Sequence, residues 1–260
     1  MFSKQGSLAL IDPHQVERII LFGDIHGDLR SLENGLALRN PGDLLIFLGD
    51  YADRGPQGIE VIEGLHTLMS RIPDKIIALM GNHEDYEENG QPTFAPCSLI
   101  EEAERKRGSW PEFFRYFKLF VQRLSLAALL PGYALFAHGG IDTGISSQEQ
   151  LAQPTWEVRR QLLWGDPSSE NGESLSYRGA GHLFGPDISS RVLDTLGVRK
   201  FFRSHEPRKA ADGPAIEHDG RVVTNSSTRI YGGRPFALVL KTDALPQAEE
   251  EIRQTIIFLD

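Results

Sequence analysis

The chain has 260 residues, 40% of them hydrophobic and 24% charged, as in an ordinary globular protein with a substantial core. Its 36 acidic against 27 basic residues give a formal charge of -9, which excludes a whole-protein electrostatic footprint for a nucleic-acid backbone. A single cysteine, Cys97, excludes an internal disulfide and predicts a reducing, cytoplasmic setting. The N-terminus lacks the apolar core of a signal peptide, and the most apolar stretch, 124–136, is broken by Pro131 and Gly132 and too short to span a bilayer, so no membrane partner is expected.

In chain order, three short apolar runs each lead at once into a Gly-polar tip: 18–22 into Gly23-Asp24, 44–48 into Gly49-Asp50, and 75–80 into Gly81-Asn82. Runs of this length, rich in Ile and Leu and stopped by glycine, read as strands buried on both faces. Between them lie helix-like segments, 29–38 and then 58–70, the latter with Ile59, Ile62, Leu65, Leu68 and Met69 on one side. Strand alternating with helix predicts βαβ units and a parallel sheet. After Glu84 come a polar, Pro-containing stretch, segment 99–106 and the amphipathic 110–124, so 85–125 reads as a helical insertion within a single domain spanning 1–260. Its aromatic residues Trp110, Phe113, Phe114, Tyr116, Phe117 and Phe120 predict a helix core rather than a peptide-binding surface. Short strands resume at 133–137, 200–203, 221–224 and 236–240, the last two antiparallel or mixed, and the acidic tail 246–253 is expected to fray or pack loosely as a helix. The fold class is therefore α/β, with a second, partly antiparallel sheet packed on the first and helices around them.

In open α/β sheets, ligands gather beyond the carboxyl ends of strands, where every one of these tips lies. The first tip is Gly23-Asp24-Ile25-His26-Gly27-Asp28, the second Gly49-Asp50-Tyr51-Ala52-Asp53-Arg54-Gly55, the third Gly81-Asn82-His83-Glu84. Two later histidines also follow strand-like runs: His138 before Gly139-Gly140, and His205 in Arg203-Ser204-His205-Glu206. Carboxylate, imidazole and amide oxygen donors suit a borderline or hard divalent ion such as Mn, Fe or Zn. Six such ligands are too many for one ion that must also bind water. Two ions about 3.5–4 Å apart with a bridging carboxylate would use them all, activate water and clamp phosphoryl oxygens. Asp50, on the central tip, is the natural bridge.

The three tips together resemble the phosphoprotein phosphatase family, the serine/threonine branch of the calcineurin-like metallophosphoesterases. That family's GDxHG, GDxxDRG and GNHE patterns stand unbroken at 23–27, 49–55 and 81–84, and the similarity continues through Leu163-Trp164-Gly165-Asp166-Pro167, Arg178-Gly179 with Phe184-Gly185, and 203–206. The resemblance implies a central β-sandwich of two mixed sheets flanked by helices, with the metal site at the carboxyl ends of the strands. It implies that Asp24, His26 and Asp50 hold one ion and Asp50, Asn82, His138 and His205 the other, manganese first, with iron or zinc as alternatives. It further implies direct attack of a metal-bound hydroxide on phosphorus, with His83 as general acid supported by Asp53. Arg54 and Arg178 match phosphate-binding arginines, Asn82 is expected to touch substrate as well as metal, and Tyr231 matches, more loosely, a tyrosine of the catalytic cleft.

Each residue has a plainer reading. Gly-Asp after a strand is a common turn or helix cap, and His138 or His205 alone could be a turn or surface histidine. Arg54 could be an ion-pair partner within its own loop. Glu84 and Asp166 are expected to hold loops, Cys97 to be a half-buried side chain rather than a nucleophile, and His14, His66, His182 and His218 to be structural or exposed. Segments 85–110 and 146–161 resemble nothing familiar and are the places where specificity would be set. The function expected is hydrolysis of phosphate monoesters, phosphoserine or phosphothreonine in proteins first and small phosphoesters second. The rival enzyme is a dinucleoside tetraphosphate hydrolase; the non-enzymatic rival is a metal-dependent scaffold, whose mark would be a broken ligand, and none is broken. No regulatory partner is indicated.

Overall fold

The computed structural model describes residues 1–260, and two sheets dominate it. Five strands form the first in the order Ile256–Phe258, Phe236–Lys241, Arg18–Phe22, Asp43–Phe47, Ile76–Ala78. The last three run parallel, as predicted, while Phe236–Lys241 is antiparallel to both of its neighbours. The second sheet has seven strands: Phe2–Gln5, Leu8–Ile11, Ala127–Leu130, Ala134–Ala137, Lys200–Arg203, Val222–Thr224 and Ala215–Glu217. A small third sheet joins Asp166–Pro167, His182–Phe184 and Glu173–Leu175.

The continuous apolar runs are explained by where their two faces go. Ile19, Leu21, Leu44 and Ile46 pack with Ala128, Phe136, Phe202 and Val223 of the other sheet, and this is the interior of the sandwich. The alternate residues Ile20, Phe22, Leu45 and Phe47 pack outward with Ile59, Ile62 and Leu65 of helix Gly58–Arg71. A strand with no solvated face keeps no polar alternation, so period two vanishes from the sequence.

Helices Leu99–Arg107 and Trp110–Val121 lie between strands Ile76–Ala78 and Ala127–Leu130 in the chain. Ser109 caps the second by accepting from the Glu112 N–H at 3.4 Å, and Pro111 sits in its first turn, where a missing N–H costs nothing. Trp110, Phe113, Phe114, Phe117 and Phe120 are buried and Tyr116 is half-buried, so the aromatic set is packing core.

Several elements depart from the sequence reading. Segment 75–80 yields only the strand Ile76–Ala78: the Leu79 N–H still donates to the Phe47 carbonyl at 2.8 Å, but that of Met80 turns to the Ser125 carbonyl, also at 2.8 Å. Helices Gln148–Ala152, Trp156–Trp164 and Pro186–Thr195 had no motif of their own. The acidic tail neither frays nor packs loosely: helix Glu249–Arg253 buries Ile252, and Ile256–Phe258 then closes the edge of the first sheet. No helix is long and apolar enough to cross a membrane.

Candidate metal centre

The parallel strands Arg18–Phe22, Asp43–Phe47 and Ile76–Ala78 deliver their three tips side by side. The first tip is laced to the second through backbone bonds, His26 N to Asp50 O at 2.9 Å and Gly27 N to Tyr51 O at 2.9 Å. Glu84 locks the second to the third: its carboxylate accepts from the N–H groups of Asp50 (2.9 Å), Tyr51 (3.0 Å) and Gly81 (2.9 Å). Burial pushes Glu84 up to about 7 despite those amides, so it holds loops, as expected, at the edge of its ionising range. The other sheet contributes His138, just past Ala134–Ala137, and His205, just past Lys200–Arg203. Ser204 joins the two halves: its hydroxyl donates to Asp24 Oδ1 and accepts from the Asp24 N–H at 2.7 Å.

Asp24, His26, Asp50, Asn82, His138 and His205 are all buried, and the fold brings them together. Asp50 stands in the middle, with Oδ2 3.4 Å from His26 Nε2 and Oδ1 3.4 Å from His138 Nε2. Asp24 Oδ2 lies 3.9 Å from His26 Nε2 and has no hydrogen-bond partner, and neither has His205 Nε2. The Ala52 and Leu48 carbonyls, each 2.9 Å from the Nδ1 of His26 and His138, draw the ring proton there and leave Nε2 a lone pair. The His138 lone pair then faces Asn82 Oδ1 at 3.0 Å and His205 Nδ1 at 3.1 Å. His205 Nδ1 can donate to that lone pair, but Asn82 Oδ1 against it is acceptor facing acceptor, costly inside a protein unless a cation sits between them. Two donor groups of this kind share Asp50, one with His26 and His83, the other with His138 and His205. The electrostatics agree. Burial and the Asp24 and Glu84 carboxylates push Asp50 well above its usual range, a condition that divalent charge would reverse. Burial lowers His26 to about 4, so its ring is neutral and able to ligate at pH 7.

Backbone strain is concentrated here. Of seven non-glycine residues with positive φ, five are His26 (47°), Asp50 (55°), Asp53 (66°), Arg54 (68°) and His205 (72°). Such conformations persist only where the surroundings enforce them, and they gather at functional sites. The glycines are equally specific. Gly49 has φ 107°, and a Cβ on Gly81 would stand 2.2 Å from Asp50 Oδ1 and 2.5 Å from Asp50 N. Gly81→Ala is therefore expected to displace the Asp50 carboxylate and lower kcat/KM by roughly 10²-fold, the usual result of a misplacement of about 1 Å, with an unchanged far-ultraviolet spectrum. Near-wild-type turnover would show that the two tips can separate without harm.

Of the six donors, His26, Asp50, Asn82 and His205 line a cleft of about 830 Å³ that also exposes Arg54, His83, Arg178 and Tyr231. His83 Nδ1 lies 2.7 Å from Asp53 Oδ2. Asp53 Oδ1 accepts from the Ser98 and Leu99 N–H groups at 2.5 and 2.8 Å, at the start of helix Leu99–Arg107. Burial alone would raise Asp53, but His83 and these amides together hold it below its ordinary range. Burial holds His83 below the usual imidazole range although Asp53 opposes this. Arg54 is exposed and joins no carboxylate, so it is not the loop ion pair weighed above. Arg178 Nε donates to Asp166 Oδ2 at 2.6 Å, and Asp166 Oδ1 takes Arg203 Nη2 at 2.7 Å, a loop-holding arrangement. Tyr231 stands edge-on to His26, ring centroids 5.4 Å apart.

The remaining histidines stay apart from the cluster. His218 bonds Ser189 and the Ser168 carbonyl, His182 gives its N–H to Gln161, and His66 packs against Tyr116. Cys97 is half-buried beside Tyr86, 3.3 Å from its hydroxyl, and burial raises its thiol. The sequence reading passed over Ser204, whose hydroxyl anchors Asp24, and Phe94, whose ring lies 4.3 Å from that of His83. It also named no role for Trp156, Arg159 and Arg160 of the cleft wall. Only its suspicion of 146–161 pointed toward them.

Comparison with known proteins agrees with this geometry. The family model described as calcineurin-like phosphoesterase matches residues 17–209. The chain is 31% identical over 242 residues to serine/threonine-protein phosphatase 5 of Homo sapiens, covering 89% of this chain and 47% of that protein. It is 33% identical over 244 residues to serine/threonine-protein phosphatase T of Saccharomyces cerevisiae, covering 89% and 46%. It thus spans about half the length of these curated relatives. A solved Saccharomyces cerevisiae protein serine/threonine phosphatase, described as similar to human phosphatase PP5, superposes with TM-score 0.78 at 27% identity, over 98% of this chain and 82% of that one. Family and donor set together imply divalent metal ions. By its motifs, its fold and this match over most of its length, the chain belongs to the calcineurin-like phosphoesterase family.

Proposed function

We propose that this chain is a metal-dependent protein serine/threonine phosphatase, acting as one catalytic domain over 1–260 with 85–125 as its helical insertion. The observation that carries the proposal is the meeting of two donor groups through Asp50 on the floor of an arginine-lined cleft. Two ions, manganese first, would be held by Asp24, His26 and Asp50 on one side and by Asp50, Asn82, His138 and His205 on the other. Bound there, they would acidify water and neutralise charge developing on the phosphoryl group.

The chain's own residues do the rest. Arg54, exposed at the cleft and free of any carboxylate, and Arg178, oriented by Asp166, grip phosphoryl oxygens and set the phosphorus above the donors. His83, its Nδ1 held by Asp53, turns Nε2 toward the leaving oxygen; its imidazolium form, which Asp53 favours against burial, supplies the proton an alkoxide needs. Tyr231 and Asn82 line the same space and contact the substrate. Cys97 lies outside the lining of the cleft, so transfer goes to water rather than through a thiol.

The relatives' names support a phosphoprotein substrate, and Asp53-Arg54-Gly55 with Glu84 points the same way, against the dinucleoside tetraphosphate reading. The cytoplasmic setting belongs to the same proposal. The test compares the chain, stripped by chelator and reloaded with manganese, on a phosphoserine peptide and on diadenosine tetraphosphate. Activity on the peptide should vanish with the metal and return with it. Cleavage of the nucleotide alone would sink the proposal.

A further inference from the structure

Segment 146–161 folds partly into helix Trp156–Trp164, which forms one wall of the cleft. Four arginines line that cleft: Arg54, Arg159, Arg160 and Arg178. Arg159 is neutralised where it stands, its Nη2 2.6 Å from Asp85 Oδ1, and Arg178, its Nε 2.6 Å from Asp166 Oδ2, is oriented for the phosphoryl role given to it above. Arg54 sits beside the catalytic tips and is assigned above to the phosphoryl group. Arg160 remains. It joins no carboxylate; its Nη2 donates to the Gly179 carbonyl at 3.0 Å, and its guanidinium lies 5.0 Å from the centroid of the Trp156 ring.

That arrangement fixes the group without using it up. An indole face and one carbonyl hold the guanidinium plane in place, and the other N–H donors stay available for a planar anion. Trp156 is 63% exposed, far beyond what a core aromatic shows, so the seat is open to an incoming chain. In a protein of formal charge -9, an unmatched cation on the wall of the cleft is a local reversal of field. It draws anions and leaves a basic neighbour repelled.

We propose that Arg160, seated on Trp156, is a specificity residue that binds an anionic side chain, a carboxylate or a second phosphate, flanking the phosphorylated residue of the substrate. This rests on the protein-phosphatase reading above.

The test uses the metal-loaded full chain and phosphoserine peptides in which one flanking position at a time carries Glu, Gln, Lys or a second phosphoserine. At one or more positions, kcat/KM for Glu should exceed that for Gln by about five-fold at low salt, the size expected of one exposed charge pair. The advantage should fade in about 1 M salt, where screening is nearly complete. Comparison of the Glu and phosphoserine arms says which anion the seat prefers. Arg160→Gln should erase the preference and Arg160→Glu should turn it toward Lys, while Arg160→Lys should retain part of it. Each readout is a ratio within one variant, so a general loss of folding cancels. Equal rates for all four flanks, or a Glu to Gln ratio untouched in Arg160→Glu, would overturn the inference. If no phosphopeptide were hydrolysed, the phosphatase reading would fall, and the docking inference would still be decided by dissociation constants of the same peptides from fluorescence anisotropy. The same ratio supports it there, and equal constants overturn it.

Discussion

Asp50→Asn is expected to lower kcat at least about 10³-fold and to remove bound metal, because a single side chain serves both donor groups. The amide keeps the shape and one oxygen acceptor but loses the charge, which is what opposes two divalent cations. The same substitution should behave differently in metal-free protein. There, burial and the carboxylates of Asp24 and Glu84 already oppose ionisation of Asp50. A carboxyl whose pKa is raised on folding stabilises the fold only while protonated and costs stability as pH rises past it. At pH 7 the metal-free variant should therefore melt no lower than the metal-free wild type, whereas the rise in melting temperature on adding manganese should be lost. Elemental analysis and calorimetry read this without any assay of turnover. Full metal content with kcat close to wild type would remove Asp50 from the bridging role.

His83→Asn should separate two substrates. On a phosphoserine peptide the leaving group is an alkoxide, which needs a proton, and kcat should fall by about 10²–10⁴-fold. On para-nitrophenyl phosphate the leaving phenolate needs none, so the loss should be far smaller. The contrast matters because His83 also lies in the donor group of His26 and Asp50 and could act as a ligand. Its Nδ1 is engaged by Asp53 at 2.7 Å, and Asp53 is itself clamped by the amides of Ser98 and Leu99, so one nitrogen is committed to orientation and one is free. Equal losses on both substrates, with metal lost as well, would assign His83 to the metal and not to the proton.

Much of this centre could be read from the chain before any fold was known. Gly23-Asp24, Gly49-Asp50 and Gly81-Asn82 each stop a short apolar run rich in Ile and Leu, and that length with a flanking glycine reads as a buried strand. His138 and His205 were weaker signals, because a histidine after a short strand has no distinguishing neighbours. They gained meaning only beside the three tips. The apolar runs themselves concealed which face met which sheet, since both faces are buried.

What the sequence by itself determined, then, is the donor chemistry: residue types, their order, and their place at strand ends, all set within a few residues. Only the tertiary structure decided what surrounds that chemistry. Phe236–Lys241 lies antiparallel to Arg18–Phe22, more than two hundred residues earlier, and Ser204 reaches Asp24 across 180 residues of chain. Arg160 meets Trp156 one helical turn away, a contact a helix would allow, but the chain does not say that this turn faces the cleft. Packing chooses such partners through long-range burial, and no local pattern of residues encodes that choice.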